Sequence, residues 1–476
     1  MCLTFDHGNG PPAPQAMSTS DPTLWPALEQ ARAIAERRLG SVELLELVLA
    51  RIESVGPRVN AVCTLELDRA RAEARAADDA VVRGETRGPL HGLPMTVKDA
   101  IATAGIRSTG GAVALRDHVP SVDAESVARL RAAGAVVFGK TNLPEWSGDW
   151  QSFNQMFGTT CNPWDTTRTA GGSSGGAAAA VATGMSSVEL GTDIGGSVRV
   201  PSAFCGVFGH KPTHGVIPTL GYLDEPHGGD VEGDINTFGP IARSAADLAA
   251  MLDVLAGPCA ADAVAWRLDL PKTVPSTLRG LRVGAWIDDS LVPIDSEMAA
   301  VLHAAVDSLR AHGAAVVGIS GPAVDVQRAW RTGVRLIGSA VSVSDQDDRG
   351  PSHRAWLFLD RERARLRAAW SAVFDDVDVV VCPVTSTVAF AHLQDGYWGD
   401  RVIRIGESER PYLELEAWPA IVGAAYLPST SVPVGFTAAG LPVGAQVVGP
   451  YLHDHRTIAV AGLVAAATGG YVPPPL

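Results

Sequence analysis

The sequence predicts an α/β fold with helices on both faces of a central sheet. Short apolar runs rich in β-branched residues alternate with helical stretches along most of the chain. The 476 residues are 46% hydrophobic and 19% charged, an ordinary globular balance in a chain long enough to bury a sizeable core. No internal repeat and no strong linker interrupts the pattern, although the Pro-bearing stretch 271–275 could divide a compact first half from a variable second half.

Helical periodicity opens the chain over residues 24–38. A second helix follows Ser41, read as its N-cap, and runs to Val55 with Val42, Leu45, Val48, Leu49 and Ile52 on one stripe. A third, rich in Ala and Arg, covers 65–82 and stops at Gly84. Then the texture changes. Residues 95–97 read as a strand, 124–133 as a helix and 135–138 as the next strand. Residues 177–183 are helical, between Gly-rich loops and the strands 187–190 and 206–209. Further strands are expected at 282–286, 314–319, 377–382 and 443–448, with a clear helix over 296–312.

The chain carries 38 Lys plus Arg against 52 Asp plus Glu, a formal charge of −14. That surface argues against nucleic acid as a partner. The six cysteines (Cys2, Cys63, Cys161, Cys205, Cys259 and Cys382) form no C-x-x-C pair and read as free thiols in a reducing compartment. Residues 1–20 are Pro-, Gly- and polar-rich, with no basic segment leading into an apolar one. They are expected to be a disordered tail rather than a secretory signal, and Met17 offers a second start. Apolar runs such as 177–183 and 459–468 are too short to span a bilayer. A cytoplasmic protein with no membrane partner is the expectation.

Three segments resemble chemical motifs. Residues 134–141 spell G-x-x-x-x-G-K-T, the phosphate-loop pattern, but the four variable residues are Ala-Val-Val-Phe, a buried-strand run, and Pro144 follows where a helix should start. Residues 171–175 contain G-x-S-x-G around Ser173, yet the polar, Pro-bearing residues before it do not make the buried strand that a hydrolase elbow needs. That reading would also require a late histidine such as His453 or His455. The third segment, Gly191-Thr-Asp-Ile-Gly195-Gly196-Ser197, follows an expected strand. Its glycines let consecutive N–H groups turn inward toward a carbonyl that Ser197 could attack, although a Gly-rich turn with a solvated serine is the plainer alternative.

Lysine is scarce: only Lys98, Lys140, Lys211 and Lys272 occur. Lys98 sits in the apolar run Leu93-Pro-Met-Thr-Val-Lys98. A buried lysine can lose its proton and act as a base where arginine cannot; pairing with Asp99 is the competing reading. The 12 histidines form no H-E-x-x-H and no Cys/His cluster, so no metal site is expected.

Taken together, the block from Thr169 through Ser173-Ser174 to Gly191-Thr-Asp-Ile-Gly-Gly-Ser197-Val-Arg199-Val-Pro201 resembles the amidase-signature family, as do His91–Asp99, Gly139–Glu145, Gly206–Pro212 and Gly440–Gln446. The 24-residue spacing from Ser173 to Ser197 fits that pattern. The resemblance covers about residues 24–470 and implies one domain over 21–476, with a large mixed β-sheet and a catalytic core near 85–256.

It further implies a Ser–Ser–Lys triad. Ser197 would be the nucleophile, Ser173 on a cis peptide the proton relay, and neutral Lys98 the base. Backbone N–H groups of Ile194, Gly195, Gly196 and Ser197 would form the oxyanion hole. Ser174 would support Lys98 by a hydrogen bond, with Asp193 and Arg199 bracing the loop. No cofactor is implied, and a homodimer is the family habit. Some members are glutamine-hydrolysing subunits of tRNA-dependent amidotransferases, but the segment 214–240 departs from their pattern. A free-standing amidase for neutral amides, aryl or alkyl, and for carbamates is therefore the expectation. Pocket walls are expected from Trp146, Trp150 and Met156, and from the stretches 330–337 and 397–418. A non-catalytic member of the same fold, or an esterase built on Ser173, are the alternatives.

Overall fold

In the computed structural model, residues 20–225, 228–319, 324–341 and 350–476 are described. The expected tail therefore lies outside the described residues except for Ser20, as do Cys2 and Met17.

Helices α1 (Ala27–Ala35) and α2 (Ser41–Val59) open the chain. Ser41 is the first residue of α2, not its N-cap. The cap is Gly40, and the Asp78 carboxylate accepts from the N–H groups of Ser41 and Val42 at 2.6 and 3.1 Å. The Ser41 hydroxyl instead donates to Gly92 O at 2.7 Å. Strand β1 (Val62–Leu65) ends on Leu65, the residue expected to begin the third helix, and α3 covers Leu67–Val82. With β2 (Pro94–Lys98) and β3 (Val136–Thr141), β1 forms a three-stranded sheet in the order β1-β3-β2. Helix α4 (Glu125–Ala132) links β2 to β3. The phosphate-loop letters thus fold as the buried strand β3, with Lys140 Nζ donating to Thr103 Oγ1 at 2.7 Å.

A short hairpin of β4 (Phe153–Asn154) and β5 (Gly158–Thr159) precedes α5 (Gly175–Ala182), β6 (Glu189–Asp193), α6 (Arg199–Cys205) and β7 (Phe208–Lys211). Then come β8 (Thr237–Ala242), α7 (Ala245–Leu255), β9 (Arg282–Ala285), α8 (Ser296–Ala311) and β10 (Ala315–Gly318). Helices α9 (Val326–Val341) and α10 (His353–Asp376) lead to β11 (Val379–Pro383). A second hairpin, β12 (Val402–Ile405) and β13 (Ser408–Pro411), precedes α11 (Ala417–Gly423), β14 (Ser429–Phe436), β15 (Pro442–Val448) and α12 (Asp454–Thr468).

The large sheet has eight strands in the order β10-β9-β11-β15-β14-β7-β8-β6. Its first two pairings are parallel and the rest antiparallel, so it is mixed as expected. Helices α7, α8 and α12 pack together on the sheet, while α5 and α6 pack as a separate pair against it. Glycine makes that second layer tight: a Cβ on Gly444 would lie 2.6 Å from Ala203 Cβ of α6. Strand β2 also lies against β6, which brings the end of the small sheet to the end of the large one. No described helix is long and apolar enough to cross a membrane. Cys63, Cys161, Cys205, Cys259 and Cys382 are free thiols.

Candidate active site

The site is built where β2 and β6 end side by side. Lys98 is the last residue of β2 and is fully buried. Its Nζ lies 2.6 Å from Ser173 Oγ and 2.7 Å from Thr192 Oγ1. Burial holds the Lys98 amine well below its ordinary pKa, against the carboxylates of Asp193 and Glu189. Neither carboxylate restores the charge. Burial raises Glu189 to about 8, so it is largely protonated at neutral pH. Asp193 is ionised but already committed to Arg199.

Ser173 follows a cis Gly172–Ser173 peptide, as expected, and is itself buried. Ser174 departs from its expected role. Its hydroxyl donates to Thr192 O at 3.2 Å and receives Thr192 N–H at 3.3 Å, so its link to Lys98 runs through Thr192. Ser174 N–H donates to Ser197 O at 3.1 Å, which ties the two serine segments together.

Ser197 stands at the start of α6 and lines a cavity of about 270 Å³. The loop before it is held from below by Asp193. Burial penalises this carboxylate, but the two-pronged Arg199 contact at 2.9 and 3.0 Å holds its pKa down at about 2. Asp193 also accepts N–H from Gly196 (3.0 Å), Val198 (3.1 Å) and Arg199 (3.3 Å). Asp193 and Arg199 thus tie the loop to the start of α6.

Of the N–H groups expected to form the oxyanion hole, one is engaged within the protein. With φ at +103°, Gly196 points its N–H at Asp193 and away from the cavity. Among the described residues nothing accepts from the N–H groups of Ile194, Gly195 or Ser197, and all three residues line the cavity. The free donors are therefore those three.

Trp146 and Trp150 line the cavity together with Tyr222, Ile337 and Trp398. Trp146 and Ser147 adopt left-handed backbone (φ 52° and 58°), and Trp146 N–H donates to Gly110 O at 2.8 Å. Trp150 Nε1 donates to Gly195 O at 3.0 Å, joining the aromatic wall to the glycine loop. The Trp150 ring packs edge-on to Tyr412, whose hydroxyl donates to Asp149 at 2.6 Å. Met156 does not reach the cavity. Asn154 Oδ1 accepts its N–H at 2.9 Å and that of Phe157 at 2.8 Å, fixing Met156 in the β4–β5 turn instead.

Sequence reasoning missed Thr192 and Asn236, and it included Glu416 only within the stretch 397–418, with no role for its carboxyl. Thr192 stood inside a quoted motif, and the proximity of β2 to β6 is what gives it a role. Glu416 is 5% exposed and lines the cavity, with its pKa raised by burial to about 7. Asn236 and Glu416 lie 180 residues apart and carry no local signal. Neither late histidine approaches Ser173: His455 faces Asp253 at 3.4 Å and His453 bonds Tyr451 O at 3.1 Å. Among the described residues no group of three or more His, Cys, Asp or Glu is placed to hold a metal ion.

Chemically, the arrangement offers a buried amine held toward its neutral form and bonded to a serine, a second serine at a cavity, and backbone donors beside it. Residues 43–345 and 335–458 match the family model described as Amidase. A glutamyl-tRNA(Gln) amidotransferase subunit from Roseiflexus sp. (strain RS-1) is 35% identical, over 89% of this chain and 92% of its own. A bacterial aryl acylamidase of the amidase-signature enzymes superposes with a TM-score of 0.80 at 25% identity, covering 94% of this chain and 97% of its own. The 6-aminohexanoate cyclic dimer hydrolase with substrate superposes at 0.78 with 26% identity, covering 95% and 99%. The chain belongs to the amidase-signature family, and its chemistry is the cleavage of amide C–N bonds.

Proposed function

We propose that the protein is a free-standing amidase that cuts neutral aryl or alkyl amides, and carbamates, through a covalent acyl-enzyme on Ser197. The observation that carries this reading is the buried contact between Lys98 Nζ and Ser173 Oγ at 2.6 Å, with the amine held toward its neutral form.

Ser197 Oγ attacks the carbonyl carbon as its proton passes through Ser173 to Lys98. The oxyanion that forms is held by the N–H groups of Ile194, Gly195 and Ser197. The proton returns by the same path to the nitrogen, the C–N bond breaks and the amine leaves. Water then enters, its proton taken along the same relay, and the acyl ester is hydrolysed. From a carbamate the same C–N cleavage leaves an alkoxycarbonyl group on Ser197.

The walls support a neutral substrate. Aromatic and aliphatic side chains dominate, and the charged residues lining the cavity are Asp149, Asp224, Asp234 and Glu416. A second reading, hydrolysis of glutamine for an amidotransferase, draws on the likeness to the amidotransferase chains. Among the described residues no Lys or Arg lines this cavity, so the α-carboxylate of glutamine would meet acidic groups without a counter-charge.

Release of p-nitroaniline from a matched acyl amide and carbamate, by wild type and Ser197→Ala, tests the reading. Release by wild type that disappears in the variant supports it, and the ratio of the two rates orders amide against carbamate. Glutamine turnover with no release from either arylamide would favour the second reading.

A further inference from the structure

The cavity wall contains a polar side chain that the proposed mechanism does not use. Asn236 lines the cavity and is 3% exposed. Neither its Nδ2 nor its Oδ1 has a hydrogen-bond partner among the described residues. A buried carboxamide with both groups unmade is costly, and native proteins seldom leave one without a ligand or an ordered water to complete it.

The surrounding backbone fixes where this carboxamide stands. Thr237, the next residue, pairs with Asp193 across the β6–β8 ladder, and its hydroxyl donates to Asp193 O at 3.1 Å. Antiparallel register then sets Asn236 opposite Ile194, the first residue of the loop that leads to Ser197. On the other side, Ile235 holds a left-handed φ of 61°, a conformation that β-branched residues avoid. That kink is clamped. The Ile235 side chain is buried in an apolar cluster. Asp234 is held by Arg363 Nη1 at 2.7 Å, by Trp356 Nε1 at 3.0 Å and by the Tyr426 hydroxyl. A strained, over-determined turn therefore presents an unpaired carboxamide beside the free N–H groups of the loop.

One carboxamide offers an acceptor oxygen and a donor nitrogen on the same carbon. Its complement is a group with an N–H next to a C=O. We propose that Asn236 is a specificity-determining residue that hydrogen-bonds a second amide-type group of the substrate. A trans amide or carbamate points its N–H and C=O in opposite directions, so one of the two is bonded: Oδ1 accepts its N–H or Nδ2 donates to its carbonyl. The preferred substrates then carry two C(=O)–NH units, amide or carbamate, one cut at Ser197 and the other read at Asn236. This proposal rests on the reading of Ser197 as nucleophile.

The test compares kcat/KM within two matched pairs. In the first, N-acetylglycyl p-nitroanilide is set against pentanoyl p-nitroanilide, so that the second amide is on the acyl side. In the second, the butyryl anilide of 4-acetamidoaniline is set against that of 4-propylaniline, so that it is on the amine side. Wild type should prefer the amide-bearing member of at least one pair about tenfold. Asn236→Leu, close in volume, should erase that preference, leave the apolar member within about threefold, and melt no lower than wild type, because it removes an unpaired polar group. Asn236→Ala provides the same comparison if the leucine variant does not fold. An active enzyme with the same ratios in wild type and both variants would overturn the proposal and leave Asn236 as a residue completed by water. Loss of all turnover in wild type, or its survival in Ser197→Ala, would instead defeat the reading of Ser197.

Discussion

Lys98 and Ser173 meet at 2.6 Å in a fully buried contact between the end of one sheet and the loop before α5. Burial holds the amine well below its ordinary pKa, which favours the neutral form that a base requires. The active form is the deprotonated one, so activity is absent at low pH and rises with pH through a single ionisation well below 10.5. The kcat/KM profile should show that acid limb. Lys98→Arg and Lys98→Met should lose roughly 10²- to 10⁴-fold at every pH. A plateau reached near pH 7 with activity lost in His453→Ala or His455→Ala would contradict this.

Thr192 is expected to matter more to Lys98 than Ser174 does, since its hydroxyl touches Nζ at 2.7 Å. Thr192→Val removes an acceptor that favours the charged amine. The acid limb should therefore move to lower pH, and kcat/KM should fall about tenfold from the lost hydrogen bond. Ser174→Ala should move the limb less. Parallel pH profiles of the two variants check the order.

Asp193 braces the glycine loop and also stabilises the fold in a pH-dependent way. Its pKa is depressed to about 2 from 3.8, so its contribution is present above about pH 4 and is lost as pH falls through about 2. The shift corresponds to about 2 kcal/mol. Asp193→Asn should cost about 3–5 kcal/mol at neutral pH, because it strands the buried Arg199 guanidinium. Urea melts from pH 2 to 7 should show wild type and variant converging at the acid end.

Glu416 works in the opposite sense. A carboxyl raised from 4.5 to about 7 resists ionisation in the folded chain, so stability falls as pH rises between those values. The full penalty, present above about pH 7, is about 3 kcal/mol. Glu416→Gln should melt near wild type at pH 4 and clearly higher at pH 8. Equal melting temperatures at pH 8 would show that the carboxyl ionises there without penalty.

Much of this was legible in the sequence because the signals are local. β2, β3, β6, β9, β11 and β15 were marked by apolar β-branched runs, and α8 by its amphipathic repeat. Strands β8 and β14 were not. Thr-Phe-Gly-Pro-Ile-Ala and Ser-Thr-Ser-Val-Pro-Val-Gly-Phe carry the Gly and Pro that ordinarily argue against a strand, and they are held by pairing partners distant in sequence. Lys98, Ser173 and Ser197 stood out from their motifs. The commitment of the Gly196 N–H to Asp193, the turn that removes Met156 from the cavity and the unpaired Asn236 all depend on contacts that no short window of residues contains.

Intact-mass spectrometry during turnover of a slowly cleaved alkyl N-(4-nitrophenyl)carbamate shows whether Ser197 carries the acyl group once p-nitroaniline has left. Wild type should gain an alkoxycarbonyl mass that maps to the peptide holding Ser197, and Ser197→Ala should gain none and release no product. An adduct on Ser173, or turnover that persists in Ser197→Ala, would contradict it.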